Sequence, residues 1–355
     1  MKEELFATLK KAIESPSPSG FEQPVQQLVG RLLNDVADDI IVDVHGNLSA
    51  ALNPTGKPRV MIAAHCDEIG LMIKYIDENG FIYFSSIGGI DTHIMPGQRV
   101  HIHGRNGVVL GAIGRKPIHA LEEEERKKLS KIHDMWIDIG VAGKAAVSEV
   151  VAVGDPVTFA CSIERLSDSY VVSRALDDKV GTVLLCEVIK RLSGERLSAA
   201  VYATSTVQEE IGLRGARTAA FAIDPDIGIA IDVDLATDFP GMEMKKNGEI
   251  RLGRGPVICR GPNINPSVER ILVETAENKK IAYQISGASR ATPTDANVIQ
   301  ISRAGVAAGL VSIPCRYLHT PAEVICLDDL EGAIQLICEF LKRLTKEDRL
   351  LPIQP

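Results

Sequence analysis

No two cysteines in this chain are separated by only two residues. The seven present are scattered and odd in number, which argues against a disulfide framework and for a reduced, cytoplasmic compartment. No apolar stretch approaches the roughly 18 residues of a membrane span, so no membrane role is expected. The opening segment, MKEELFATLKKAIESPSPSG, mixes charged and apolar residues and lacks the unbroken apolar core of a signal peptide. Basic residues are in the minority, 39 Lys and Arg against 47 Asp and Glu, for a net charge of −8. A nucleic-acid partner, which calls for a basic patch or stripe, is therefore not expected. The chain also lacks an HExxH pair, an internal repeat and a low-complexity linker.

What is present is apolar material, 45% of 355 residues, enough for one large domain and a small one. Leu5, Leu9 and Ile13 predict a helix that Pro16, Pro18 and Gly20 end. A second helix is predicted over about 22–35, a hairpin over 40–52 and a buried strand at Val60–Ala64. From about residue 70 the strand-like pieces become short and turns frequent. Apart from the charged stretch Glu122–Lys128, no helix is predicted before about residue 165. From Asp177 the α/β texture returns. Val180, Val183, Leu184, Val188 and Leu192 share a helical face, strands are predicted at 199–207, 227–231 and 306–313, and a helix at Val268–Asn278. A last helix is predicted near Asp328, with Glu331 completing a capping box. The fold class is thus α/β, made from both chain ends and interrupted by an all-β insert.

In open α/β sheets, sites form beyond the carboxyl ends of the strands. His65 and Asp67 follow the first central strand, Glu209 and Glu210 the second, Asp232 the third, and His319 lies shortly after the fourth. Asp177 and Asp178 open the helix that starts the second α/β segment. Imidazoles and carboxylates together suit zinc, cobalt, manganese or iron. Polar residues at strand ends are also ordinary in α/β enzymes, so topology alone leaves the metal site open.

The motifs resemble those of the tetrahedral-assembly aminopeptidases, a dinuclear metallopeptidase family that includes glutamyl, leucyl and deblocking enzymes. The matching stretches run in order through nearly the whole chain: Ser17–Glu22, Ala64–Gly70, Ile87–Asp91, Ala175–Asp178, Val207–Ala216, Asp232 with Asp238–Gly241, and Pro314–Glu323. The resemblance implies a mixed-sheet α/β/α peptidase domain over 1–69 and 166–355, and a β-rich dimerisation domain over 70–165. It implies two divalent metal ions per subunit, zinc or cobalt before manganese. His65 and Asp232 would hold one, Glu210 and His319 the other, and Asp177 both, with a cis peptide after Asp177. Asp67 would orient His65. Glu209 would be the general acid/base, taking a proton from a metal-activated water and returning it to the leaving amine of a peptide substrate. Dimers would assemble into a tetrahedral dodecamer. Departures from the family pattern are Cys66 for Met, Lys179 for Arg, and the loop Ala-Thr-Pro-Thr-Asp-Ala at 291–296, which bears on specificity.

Other candidates are weaker. His101 and His103 share a strand face but lie in the insert, as do His119 and His133. Cys66 is expected to be a buried apolar thiol, the run Glu122–Lys128 a solvated helix face, and Arg290 a surface residue. Two other functions are a glycoside hydrolase with paired carboxylates, for which neighbouring strand residues point the wrong way, and a non-catalytic scaffold, in which Glu209 would have no purpose.

Overall fold

The computed structural model describes residues 2–348 and 350–353. At its centre four strands run parallel: Ala200–Thr206, Arg59–His65, Ile227–Leu235 and Ala307–Arg316, in that order across the sheet. Asp39–Val42 and Leu48–Leu52 extend it antiparallel on one side; Glu323–Cys326, Tyr170–Ser173 and Glu164–Arg165 extend it on the other. Val257–Arg260 also pairs with the last parallel strand, and Gln284–Gly287 pairs with Val257–Arg260.

The parallel strands are apolar on both faces, as a sheet covered by helices on each side requires. Ile62, Ala64, Ile229, Ile231, Val311 and Ile313 face one core, shared with helices Lys2–Glu14, Leu176–Leu192 and Leu327–Arg343. Met61, Ala63, Ala230 and Leu310 face the other, under Ala216, Ala219 and Ala220 of helix Arg214–Ile223. Each fully buried Leu or Ile contributes about 1.5–3 kcal/mol, so the helices are fixed by what they cover. The expected stripe Leu5, Leu9 and Ile13 is buried.

The chain leaves this sheet after His65 and forms a closed barrel: Gly70–Ile76, Ile82–Ile87, Met135–Asp138, Gly107–Arg115, Arg99–Gly104 and Pro156–Phe159. Leu71, Ile73, Phe84, Val100, Ile113 and Val157 fill it. By Glu164 the chain has returned to the large sheet. Mixed α/β with a separate small barrel is the fold class expected.

Three local expectations need correction. The insert contains a helix, Lys144–Val150, that the pattern did not announce; it is short and only Val147 is buried. The Asp232 strand does not stop at 231 but continues to Leu235, because it keeps pairing with Ala307–Arg316 through Leu235 and Cys315. The last helix starts at Leu327 behind Cys326, with no side-chain cap. Glu331 instead makes two bonds from Arg191, at 2.7 and 2.8 Å, and Asp329 accepts the N–H groups of Gly253 and Gly255. Among the described residues no helix is long and apolar enough to cross a membrane.

Candidate active site

The carboxyl ends of the parallel strands converge on one buried acidic pocket. His65 closes its strand with the ring 2% exposed. Its Nε2 lies 3.0 Å from Asp177 Oδ1 and 4.0 Å from Asp232 Oδ1. Asp177 sits where the long helix begins, in non-helical backbone, and the Asp177–Asp178 peptide is cis, as the resemblance implied. The continuous helix starts only after Asp178, whose carboxylate accepts the Gly181 N–H at 3.0 Å in the manner of an N-cap. A Cβ on Gly181 would lie 2.2 Å from that carboxylate, so only glycine fits.

The other oxygen of Asp177 faces His319. His319 Nε2 is 3.5 Å from Asp177 Oδ2 and 3.6 Å from Glu210 Oε2. Two ligand groupings result, His65–Asp177–Asp232 and Asp177–Glu210–His319, each with ligand atoms within 4.8 Å of one another. Asp177 belongs to both. His101, His103, His119 and His133 belong to neither. His103 instead stacks on Phe21 and contacts the Thr158 hydroxyl at 2.9 Å.

The acids Glu209 and Glu210 follow a turn at Gln208, which has φ +56°. Asp67 holds this turn. Its fully buried carboxylate accepts the N–H of Glu209 at 3.0 Å, the N–H of Glu210 at 3.2 Å and the Ser19 hydroxyl at 2.7 Å. The same carboxylate is 3.5 Å from His65 Nδ1, although the Asp67 carbonyl is closer, at 3.1 Å. Burial works against ionisation of Asp67, but His65, Ser19 and the Glu209 N–H outweigh it and hold its pKa down. Asp67 therefore does more than stand behind an imidazole: it ties the histidine to the two glutamates.

Two contributors had no assigned role. Buried Glu323 accepts the N–H of Asp177 at 3.1 Å on one oxygen and that of His319 at 3.0 Å on the other. Its place four residues after His319, in the same quoted motif, was the only signal. The barrel contributes Gly89, whose carbonyl lies 2.8 Å from His319 Nδ1, a contact that fixes the ring. A Cβ on neighbouring Gly88 would lie 2.8 Å from Ile69 and 3.3 Å from Glu210 Oε2, which accounts for glycine there. Asp295 is buried as well and accepts the Thr206 hydroxyl at 2.6 Å.

The acids of this pocket, Asp67, Asp177, Glu209, Glu210, Asp232, Asp295 and Glu323, far outnumber its two histidines. Burial first, then the charges of Asp232, Asp295 and Glu210, push the Glu209 carboxyl up to about 10. Burial and Asp177 push Glu210 up to about 7. The hydrogen bond to Asp177 raises His319 to about 9. Burial also raises Asp232 and Glu323. So many buried carboxylates cannot all ionise unless cations join them. Neutral imidazole and carboxylate oxygens around a shared Asp are the donor set of a divalent-metal site, so the residues fit such ions.

The remaining candidates settle simply. Cys66 is buried against Val25 and Val207, and burial pushes its thiol pKa up. Lys179 is fully buried, donating to Ser17 and to the Ser15 carbonyl, with Glu68 4.0 Å away. Lys127 pairs with Glu123 and Glu124 on an exposed face. Arg290 is exposed.

Strand-end carboxylates and imidazoles on an α/β sheet, with a barrel reaching into the pocket, define a metallohydrolase-type site. The chain belongs to the M42 glutamyl aminopeptidase family, whose model matches residues 46–336, and it is a peptide hydrolase of the aminopeptidase type. It is 38% identical to a lysyl aminopeptidase of Pyrococcus furiosus over 96% of this chain and 97% of that one. A TET aminopeptidase from a marine-sediment Thaumarchaeota archaeon superposes with TM-score 0.93 at 33% identity, covering 98% of each chain. The TET1 peptidase of Pyrococcus horikoshii, which assembles into a tetrahedron or a large octahedral shell, has TM-score 0.86 at 34% identity, covering 96% of this chain and all of that one.

Proposed function

We propose that the pocket holds two divalent cations, one on His65 and Asp232 and one on Glu210 and His319, with Asp177 serving both. The observation that carries this is the Asp177 carboxylate, one oxygen turned to His65 and the other to His319. When bound, such ions acidify a water and stabilise the charge of a tetrahedral transition state. Zinc or cobalt suits the mixed nitrogen and oxygen donors, with manganese third.

The protein's own part is positioning and proton movement. Glu209 is the general acid/base: its buried carboxyl takes the proton from the attacking water and delivers it to the leaving amine. Asp67 sets where that carboxyl stands through the Glu209 N–H. Glu323 and Gly89 set His319 from both sides. Substrates are peptides with a free α-amine, cleaved after their first residue.

The barrel region 70–165 is the dimerisation unit, and dimers build a tetrahedral dodecamer; support comes from TET relatives that form closed shells. Seven free cysteines fit the cytoplasm. The test is release of N-terminal residues from a peptide before and after chelation. Loss on chelation and recovery with zinc or cobalt are expected. Unchanged release, or chelator-resistant action on a β-glucan instead, would overturn the assignment.

A further inference from the structure

A cavity of about 550 Å³ opens beside the candidate metal pocket and contains Asp234. Asp234 lies two residues beyond Asp232 on the same strand. Side chains i and i+2 of a strand share a face, about 6.5 Å apart, so Asp234 stands one such step farther along the sheet than the proposed ligand. The lining also includes Leu318, next to His319. Apolar Ile285, Leu310 and Cys259 line the same cavity. The loop carrying Thr292 and Thr294, just before buried Asp295, completes it. A group held at the metal pocket by its backbone would therefore extend its side chain along an apolar wall toward a carboxylate.

Asp234 is half-buried, and among the described residues no cation pairs with it; its side-chain neighbour is the Ser286 hydroxyl. The charged residues at the cavity rim, Lys246, Glu249 and Arg290, are exposed and of both signs. Exposed charges are screened by water, and a part-buried one is screened much less. The inward acid thus sets the sign of the cavity.

We propose that this cavity receives the side chain of the N-terminal residue and that Asp234 selects a cationic one, lysine or arginine. The aliphatic stem lies on the apolar wall and the charged head meets the carboxylate. This rests on the aminopeptidase reading above.

The test uses the zinc- or cobalt-loaded full chain and a panel of lysyl, arginyl, norleucyl, leucyl and glutamyl anilides. Lysyl or arginyl should show the highest kcat/KM. In Asp234→Asn, with metal content matching the parent protein, the lysyl-to-norleucyl ratio of kcat/KM should fall about 10–100-fold, the size of one lost charge-assisted bond. Calorimetry should also find L-lysine bound more tightly than L-norleucine by the parent protein, and this difference lost in the variant. A preference for glutamyl or leucyl substrates, or an unchanged ratio in Asp234→Asn, would overturn the selection by Asp234 while leaving the aminopeptidase reading standing. No release from any of the five by metal-loaded protein would overturn both.

Discussion

Glu323 and Asp177 are joined by a hydrogen bond from the Asp177 N–H at 3.1 Å, and the second oxygen of Glu323 accepts the N–H of His319 at 3.0 Å. One buried carboxylate thus places a member of each ligand grouping without belonging to either. Glu323→Gln keeps one acceptor and loses the other. Metal affinity should drop roughly 10–100-fold, the usual effect of removing an outer support. Metal titration by calorimetry checks it; an unaltered affinity would remove Glu323 from the site.

Glu209→Gln separates proton transfer from metal binding. The amide is close in size and Glu209 is outside both ligand groupings. Metal content should match the parent protein while kcat falls about 10²–10⁴-fold. Full metal content with undiminished turnover would refute the assigned role.

Chelation should also lower thermal stability. Ions that bind only the native state stabilise it by about 2.7 kcal/mol at a hundred times Kd. They also relieve repulsion among the buried acids. Calorimetric scans before and after chelation, with metal restored, should show Tm fall and recover. An unshifted Tm would mean that the acids need no cation.

The pH dependence of the metal-free protein follows from the same acids. Burial and Asp177 raise Glu210 from its ordinary 4.5 to about 7. The Asp177 hydrogen bond raises His319 from 6.5 to about 9. In both cases the native state holds the proton more tightly than the unfolded chain. Glu210 adds stability below pH 4.5 that is lost as pH rises to about 7, and the His319 contribution, present below 6.5, is lost by about 9. Denaturant midpoints of chelated protein should therefore decline from about pH 5 to about pH 9. A rising midpoint over that window would contradict the charge balance described.

The legible part of the site was its strand-end residues. His65, Glu210, Asp232 and His319 are side chains at or near the carboxyl ends of apolar runs, and parallel topology brings such ends together. Glu323 and Gly89 were not legible in the same way, because they act on neighbours through backbone groups and far-off loops. No spacing rule connects Gly89 with His319, 230 residues apart. In the fold, long apolar elements such as Leu176–Leu192 stood out, whereas four-residue strands such as Val257–Arg260 and Gln284–Gly287 did not. Pairing with neighbours, rather than their own pattern, makes them strands. Glu331 matched a capping spacing, but a bidentate bond from Arg191 places it elsewhere.

The central claim is that two cations share Asp177. Anomalous diffraction from crystals of the zinc- or cobalt-loaded protein tests it most directly. Two peaks are expected, one contacting His65, Asp177 and Asp232, the other Asp177, Glu210 and His319. A single peak, or peaks that leave the Asp177 carboxylate uncontacted, would contradict it.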